Sequence, residues 1–200
     1  MNLLEPQEPW PHPSTLTPPL TLGGGRLLRE APEGTFDTAL LAGGWNLLGQ
    51  DSLPIITECQ KRGIAVHNAG VFATGFLVGG ESYLYDTPPP EITAARAGWE
   101  ALAARHGCSL PAVALRFASL PAIIEHGAPR PSFAVWKVAK TKRLLGWAAV
   151  LLGVKSPEEV ELNVGTIEQA AAVPDRLWAD AKAEGLLPAD LPVPGAGAKL

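Results

Sequence analysis

Residues 148–163, with the sequence AAVLLGVKSPEEVELN, join a short apolar run to the start of a helix. The apolar run is typical of a buried strand, and Gly153 ends it. Ser156 is placed to cap the helix, Pro157 occupies the first turn, where no amide donor is needed, and Glu159 is placed to reach back to the Ser156 amide. A strand that leads directly into a helix predicts an α/β fold.

Two similar units precede this stretch. Thr38–Ala42 predicts a strand buried on both faces, and Ser52 is placed to cap the following helix, which Gly63 ends. Ile64–Val66 predicts a second buried strand, and residues 67–75 then predict a loop whose glycines permit tight turns. The strand and helix pattern therefore occurs three times along the chain.

Further helices are predicted after the proline run at 88–90 as far as Gly107, from Ser109 to about residue 119, and from about Pro174 to Glu184, where Gly185 ends the helix. Right-handed parallel crossovers are the default connection between such units. The order predicts a parallel α/β layer or a fragment of a (β/α)8 barrel. A complete barrel needs eight units and roughly 250 residues.

The composition argues against several classes of function. A net charge of −4 provides no positive field for nucleic acid or anionic lipid, so neither partner is expected. Cys59 and Cys108 lie far apart, which argues against a disulfide framework and a cysteine zinc site and favours the cytoplasm. No apolar run reaches the roughly 18 residues of a membrane span, and the N-terminus does not have the pattern of a secretory signal.

Three blocks of sequence resemble the aldo/keto reductase family, in the order in which the family has them. They are DTALLAGGWNLL at 37–48, GIAVHNAGVFATGFL at 63–77 and LGVKSPEEVELN at 152–163. These blocks are similar to the sixth, seventh and eighth strands of the family's barrel with the segments that follow. The most similar branch is the sugar dehydrogenases, of the aldose and galactose 1-dehydrogenase kind.

This resemblance implies a fold and a division of the chain. The fold is a partial (β/α)8 TIM barrel, consisting of roughly the last three to four β/α units. Residues 1–34 are expected to be a disordered leader rich in proline and glycine, residues 35–187 the partial barrel, and residues 188–200 a disordered tail. The stretch 121–149 is expected to be an insertion. Its basic part, 137–143, is interpreted either as an amphipathic helix for an acidic partner or membrane surface or as a connection without a role.

The resemblance also implies that the chain binds NAD or NADP. The loop after the seventh strand would contact nicotinamide and pyrophosphate, and the helix after the eighth strand would bind the adenosine half, where a helix N-terminus suits a phosphate or ribose. The implied cofactor-binding residues are Asn46, Gly70, Phe72, Thr74, Gly153, Lys155, Ser156 and Asn163.

Structural interpretations of these residues stay open. Asn46 is also typical of a turn that bonds its own backbone, and Ser156 with Glu159 is also typical of a simple helix cap. Three positions depart from the family pattern: Leu162 replaces a common glutamate, Leu152 a common proline and Ala69 a common tyrosine. The departures at Leu162 and Leu152 weaken the implied cofactor binding, whereas the sugar dehydrogenases often have a small residue at the position of Ala69.

The resemblance implies no catalytic residue in this chain. The family's proton donor is a tyrosine tuned by an aspartate, a lysine and a histidine, all from the first half of the barrel. Tyr83 and Tyr85 lie in a loop after the seventh strand and are not expected to be catalytic. His67 is interpreted either as a site residue at a strand end or, more simply, as a histidine bonded to a carbonyl.

Three readings of function follow from the resemblance. The chain is expected to be an NAD(P)-dependent oxidoreductase part, inactive alone, that acts on sugar or aldehyde carbonyls once another polypeptide completes the barrel. The alternative is a non-catalytic nucleotide-binding or protein-interaction module. A third reading is a degenerate fragment that does not fold stably. Half a barrel leaves strand edges unpaired, so self-association through these edges is also expected.

Overall fold

The computed structural model describes Arg26 and residues 28–36, 38–120 and 147–193. A helical turn at residues 28–30 precedes the first strand, and a 3-10 turn covers Phe76–Val78. The strands are β1 (Thr38–Ala42), β2 (Ala65–Ala69) and β3 (Trp147–Leu151). The helices are α1 (Leu53–Lys61), α2 (Pro90–Arg105), α3 (Leu110–Ala118), α4 (Pro157–Ala171) and α5 (Arg176–Ala183).

The three strands form one parallel sheet in the order β1-β2-β3, which is also their order along the chain. Leu40 of β1 pairs with His67 of β2, and Leu41 pairs with Asn68. Helices connect or follow the strands, so the structure confirms the predicted α/β class with a parallel sheet. β1 lies at one edge and β2 lies in the middle.

Within residues 28–36, 38–120 and 147–193 as described, helices cover one face of this sheet only. On the covered face Leu41, Val66 and Asn68 are buried. On the opposite face, which we call the open face, Leu40 is 56% exposed and Leu151 is 45% exposed. The prediction that β1 is buried on both faces is therefore wrong. The apolar run is continuous, but strand side chains alternate between faces, and only one face meets the core.

The core lies between the covered face and the helices. Its centre contains Trp45, Phe117 and Trp178, with ring centroids 5.0 Å apart for the first pair and 5.9 Å for the second. All three side chains are fully buried. Aromatic rings of this size contribute much of the apolar area that stabilises a small core. The core therefore joins the segment after β1 to α3 and α5, which are far apart in sequence.

Glycines end several helices as the sequence predicts. Gly63, Gly107 and Gly185 follow α1, α2 and α5 with φ values of +69°, +68° and +73°. This left-handed conformation strains residues with a Cβ, and it stops the helix by redirecting the chain. The predicted cap of α4 is present, because Ser156 accepts from the Glu159 amide. At the predicted start of α3, the Ser109 side chain accepts from the Ala112 amide and caps that helix as well.

Two local predictions are wrong. Residues 67–69, predicted as loop, belong to β2 because they pair with residues 40–42 of β1. The Ser52 side chain does not cap α1. Its hydroxyl instead donates to the Gly43 carbonyl at 3.3 Å, so it fixes the turn after β1 rather than the helix start.

The folded part extends beyond residues 35–187 at both ends. Leu28 is 7% exposed and Leu191 is 4% exposed, and both belong to the core. Most of the predicted leader and tail, and most of the predicted insertion with its basic segment 137–143, lie outside the described residues. Within the described ranges, no helix has the length and apolar character needed to cross a bilayer.

Candidate functional site

Three loops follow the carboxyl ends of the three parallel strands. They cover residues 43–52 after β1, 70–75 after β2 and 152–156 after β3. In parallel α/β folds, ligands bind at this edge because the loops and helix N-termini converge there. All eight predicted cofactor-binding residues lie in these loops or in the helix that the third loop enters. The candidate site is therefore this edge of the sheet.

Asn46 connects the first loop to the second. Its side-chain amide donates to the Gly70 carbonyl at 3.3 Å, and its Oδ1 accepts from the Leu48 amide at 2.9 Å. The residue is only 5% exposed. The bond from the Leu48 amide is the local turn bond that the sequence analysis gave as the alternative to cofactor binding by Asn46. Asn46 and Gly70 are thus brought together, and both polar ends of the Asn46 side chain bind backbone.

Gly70 is a glycine because two backbones approach closely. It has a φ of +72°, and a Cβ at this position would lie 3.0 Å from the Gly43 nitrogen. Next to it, the Gly43 amide donates to the Ala69 carbonyl at 2.9 Å. A side chain at position 70 would strain the backbone and push the first two loops apart.

Asn68 is a structural residue of this edge that the sequence analysis missed. It is fully buried in β2, and its side-chain amide donates to the Trp45 carbonyl at 3.1 Å and to the Ala118 carbonyl at 3.3 Å. Its Oδ1 is buried and has no hydrogen-bond partner among the described residues. A polar amide inside an otherwise apolar strand was the available signal, since buried polar groups are normally bound.

Phe72 connects the second loop to the third. It is half-buried and packs against the small apolar cluster of Val71, Leu115, Ala118 and Ala170. Leu152, at the start of the third loop, packs against the same cluster. This contact is apolar and broad, unlike the directional bonds between the first two loops. Phe72 therefore holds its loop through packing.

Thr74 supports the tight hairpin in which Tyr83 pairs with Asp86, and its hydroxyl is bound to backbone. Its φ is +57°, and its Oγ1 donates to the Ala73 carbonyl at 2.7 Å and accepts from the Leu84 amide at 2.9 Å. The hairpin holds Tyr83 against Phe76, with ring centroids 6.1 Å apart. Burial raises the pKa of Tyr83, and the charge of Asp51 raises it further. A raised pKa makes this phenol a poorer acid near neutral pH.

The start of α4 differs in one detail from the predicted capping box. Ser156 Oγ accepts from the Glu159 amide at 3.3 Å, as expected. The Glu159 carboxylate accepts from the Lys155 amide at 2.6 Å, whereas the prediction named the Ser156 amide. The bond moves by one residue because the extended backbone of Ser156, with φ −148° and ψ 161°, determines which amide faces the helix start.

The remaining candidates of this third region are open to solvent. Gly153 and Lys155 are exposed, and Ser156 and Asn163 are half-buried. A Cβ at Gly153 would meet no atom within 4 Å. The Ser156 hydroxyl is the main cause that lowers the pKa of Glu158, a fully exposed carboxyl in the first turn. The helix N-terminus therefore carries two carboxylates and one lysine side chain beside its amides.

The structure also locates His67, for which the sequence analysis gave two interpretations. His67 is the third residue of the five-residue strand β2, on the open face, and not at the strand end. Among the described residues, no group of three or more histidine, cysteine or carboxylate side chains is close enough together to hold a metal ion. The candidate site is thus built from backbone, amide and hydroxyl groups with a few charges at α4.

Comparisons with known proteins identify the family. Residues 26–173 match the model of the aldo/keto reductase family. The chain is also similar to a pyridoxal 4-dehydrogenase of Microbacterium luteolum, with 32% identity over 171 residues. That alignment covers 81% of this chain and 42% of the relative, so the chain spans less than half of that relative's length. The match covers all three loops of the candidate site, and the chain belongs to the aldo/keto reductase family.

Proposed function

We propose that this chain is the nicotinamide-nucleotide-binding part of an NAD(P)-dependent oxidoreductase that acts on sugar or aldehyde carbonyls. The observation that carries the proposal is the meeting of three loops at one edge of a parallel sheet. Asn46 joins the first two by a hydrogen bond to Gly70, and Phe72 and Leu152 pack on a common cluster. The strand order β1-β2-β3 supports a partial (β/α)8 barrel, in which neighbouring strands are consecutive.

The residues at this edge fit a nucleotide in two ways. Gly70 is exposed and neither it nor the adjacent Gly43 has a side chain, so a flat or extended ligand could approach the backbone there. The start of α4 presents helix amides, the positive end of the helix dipole and the Lys155 ammonium group. Bound nicotinamide would exchange a hydride with the carbonyl carbon of a substrate. The chain's own residues would bind and orient the nucleotide.

The carboxylates at α4 favour NAD over NADP in this proposal. Glu159 accepts a hydrogen bond from the Lys155 amide, and Glu158, an exposed carboxyl in the first turn, is ionised near neutral pH. A ribose hydroxyl can bind beside these groups, but the additional phosphate of NADP would be repelled by them. NAD is therefore expected to bind more tightly than NADP.

The substrate class follows from the family and the relative. The relative is named for its action on pyridoxal, and pyridoxal carries an aldehyde. The sugar dehydrogenase resemblance of the three sequence blocks points to another carbonyl or hemiacetal carbon. We propose a small aldehyde or aldose as substrate, bound where the nicotinamide end of the nucleotide lies.

We further propose that the chain does not perform this reaction alone. Carbonyl reduction needs a positioned proton donor, and a donor that works near neutral pH needs a pKa lowered toward that range. The pKa of Tyr83 is raised, and Tyr85 is 91% exposed, so solvent surrounds its hydroxyl. Neither tyrosine suits the role. The proton donor would come from polypeptide corresponding to the part of the relative that this chain does not span.

The first test is a calorimetric titration of the chain with NAD and with NADP. We expect saturable binding that is tighter for NAD. Lys155→Ala should weaken it about two- to fivefold, because an exposed ion pair contributes little. Lys61→Ala is the matched control, since it removes the same exposed charge at the end of α1, which leads to the opposite edge of the sheet. Equal losses for the two variants would contradict the assigned site.

The second test measures turnover by the absorbance of NADH with pyridoxal and with aldoses. The chain alone should give none, and adding a polypeptide that supplies the missing units should restore it. Turnover by the chain alone would contradict the proposed division of labour. Binding of NAD without turnover in either case would support the nucleotide-binding module instead.

A further inference from the structure

The loop after β2 contains a strained turn. Three successive residues, Ala73, Thr74 and Gly75, have φ values of +49°, +57° and +94°. Alanine and threonine rarely adopt this left-handed conformation, because their Cβ atoms then crowd the backbone. Such a backbone persists only where neighbouring structure holds it, and strain of this kind is concentrated at ligand-binding loops. The contacts that hold this turn therefore bear on the shape of the candidate site.

Backbone bonds join the strained turn to the 3-10 turn that follows it. The Phe72 carbonyl accepts from the Gly75 and Leu77 amides at 3.0 Å and 3.1 Å. The Gly75 carbonyl accepts in turn from the Val78 and Gly80 amides at 3.1 Å and 2.9 Å. Phe72 and Gly80 are thus connected through Gly75, so the position of Gly80 affects that of Phe72.

Arg96 of α2 binds this segment from outside the loop. Its Nη1 donates to the Gly80 carbonyl at 3.1 Å, and its guanidinium carbon lies 4.7 Å from the centroid of the Phe76 ring. A planar guanidinium can lie over an aromatic face and donate hydrogen bonds at the same time. Its Nε donates to the Glu100 carboxylate at 2.9 Å, one turn along α2. Arg96 therefore holds Phe76 and Gly80 together, in an orientation that Glu100 supports.

We propose that Arg96 is a positioning residue for the nucleotide, acting through the loop that it holds. Arg96 fixes the far end of the segment from Phe72 to Gly80, and the near end begins two residues after Gly70. Gly70 is the exposed backbone at which the proposed function places the ligand, so this inference rests on that function. The donors of Arg96 are directed at Gly80 and Glu100, so its effect on a nucleotide would be transmitted by backbone.

The two halves of a nucleotide would depend on Arg96 differently. Nicotinamide and pyrophosphate would lie at the loop after β2, which Arg96 holds. The adenosine half would lie at the start of α4, where the ordering contacts are those between Ser156, Lys155 and Glu159. AMP, which has only the adenosine half, should therefore bind independently of Arg96.

Calorimetric titrations with NAD and with AMP test this assignment, at a temperature below the unfolding midpoint of every variant. Arg96→Ala should weaken NAD binding about three- to tenfold, because affinity falls with the fraction of molecules whose loop has the bound shape. It should leave AMP binding unchanged. Arg96→Lys keeps a cation that can lie over Phe76, so it should recover part of the loss.

Arg105→Ala is the matched control. Arg105 is the last residue of the same helix, and its ion pair is with Glu184 at the end of α5. The substitution removes the same guanidinium group and also breaks one ion pair with a glutamate. It should bind NAD as the wild type does.

Hydrogen exchange followed by NMR examines the turn in the absence of a nucleotide. The Val78 and Gly80 amides, which both donate to the Gly75 carbonyl, should exchange faster in Arg96→Ala than in the wild type. In Arg105→Ala they should exchange at the wild-type rate. Unchanged exchange in Arg96→Ala would mean that Arg96 does not hold the turn, and would overturn the proposal.

The titrations distinguish this role from the proposed function. Equal NAD affinities of Arg96→Ala and Arg105→Ala, or equal losses for NAD and AMP in Arg96→Ala, would overturn the positioning role while nucleotide binding stands. A wild-type chain that binds no NAD would overturn the proposed function, and the positioning role with it.

Discussion

The first two loops of the candidate site and the start of α4 lie at the same edge of the sheet but are built differently. Between the first two loops, Asn46 and Asn68 are buried and bind backbone carbonyls, and Gly70 almost touches Gly43. At α4, Gly153 and Lys155 are exposed, and the ordering contacts are those of a helix cap. One part is fixed by long-range contacts, and the other by residues next to each other in sequence.

This difference separates residues that hold the loops in place from groups that a ligand can contact. Asn46 and Thr74, predicted as cofactor ligands, have their polar atoms bound to backbone already, so they shape the loops. The groups at α4 keep solvent access, and a ligand can reach them. We therefore expect substitutions in the first region to change stability and substitutions in the second to change binding.

The largest effect is expected for Asn68→Ala. The substitution leaves the Trp45 and Ala118 carbonyls without the amide that binds them, inside the core. Loss of a buried partner costs about 1–3 kcal/mol for each group, so the free energy of unfolding should fall by roughly 2–4 kcal/mol in urea titrations. Asn163→Ala, at a half-buried position of α4, should change the free energy of unfolding by less than about 0.5 kcal/mol. Similar losses for both would remove the contrast between the regions.

The two glycines give the next effect. Gly70→Ala should cost about 1–3 kcal/mol, because of its positive φ and the 3.0 Å approach to Gly43. Gly153→Ala should be neutral or stabilising by up to about 1 kcal/mol, since a Cβ there has open space. Thermal unfolding of the two variants is sufficient to compare them. A stable Gly70→Ala variant would mean that the first two loops can separate.

Removal of the α4 cap should have a smaller effect. Ser156→Ala deletes the acceptor of the Glu159 amide and should destabilise the chain by about 1 kcal/mol. Ser156→Thr keeps a hydroxyl and should recover most of that loss. If alanine and threonine give the same unfolding midpoint, the cap does not stabilise the helix start.

Sequence patterns predicted the features that depend on neighbouring residues. The glycine ends of α1, α2 and α5, the start of α3 at Ser109 and the cap at Ser156 were predicted because each requires only a few adjacent residues. The class of the fold and the family followed from the same kind of signal. The parallel order of the strands was expected from crossovers of ordinary handedness.

Side-chain partners distant in sequence could not be predicted in this way. Asn68 binds Ala118, 50 residues away, and Ser52 donates to Gly43 across the turn instead of capping α1. The exposure of β1 on one face also depends on which elements cover the sheet, and the apolar run alone does not specify this. The capping box of α4 was predicted to within one residue, since only the backbone angles of Ser156 determine the amide that Glu159 reaches.

The smallest expected effect is a pH dependence at α4. The Ser156 hydroxyl lowers the pKa of Glu158 below that of a free glutamate, about 4.3. A lowered pKa stabilises the folded chain above the unfolded value, and this contribution disappears as the pH falls through the lower folded value. Glu158→Gln should therefore lower the unfolding midpoint slightly near neutral pH, and its difference from the wild type should disappear as the pH falls through the acid limb. Glu168→Gln, near the end of the same exposed helix, is the matched control for the loss of one carboxylate. If the two variants show the same dependence of the unfolding midpoint on pH, the carboxylate at the helix start is not held by Ser156.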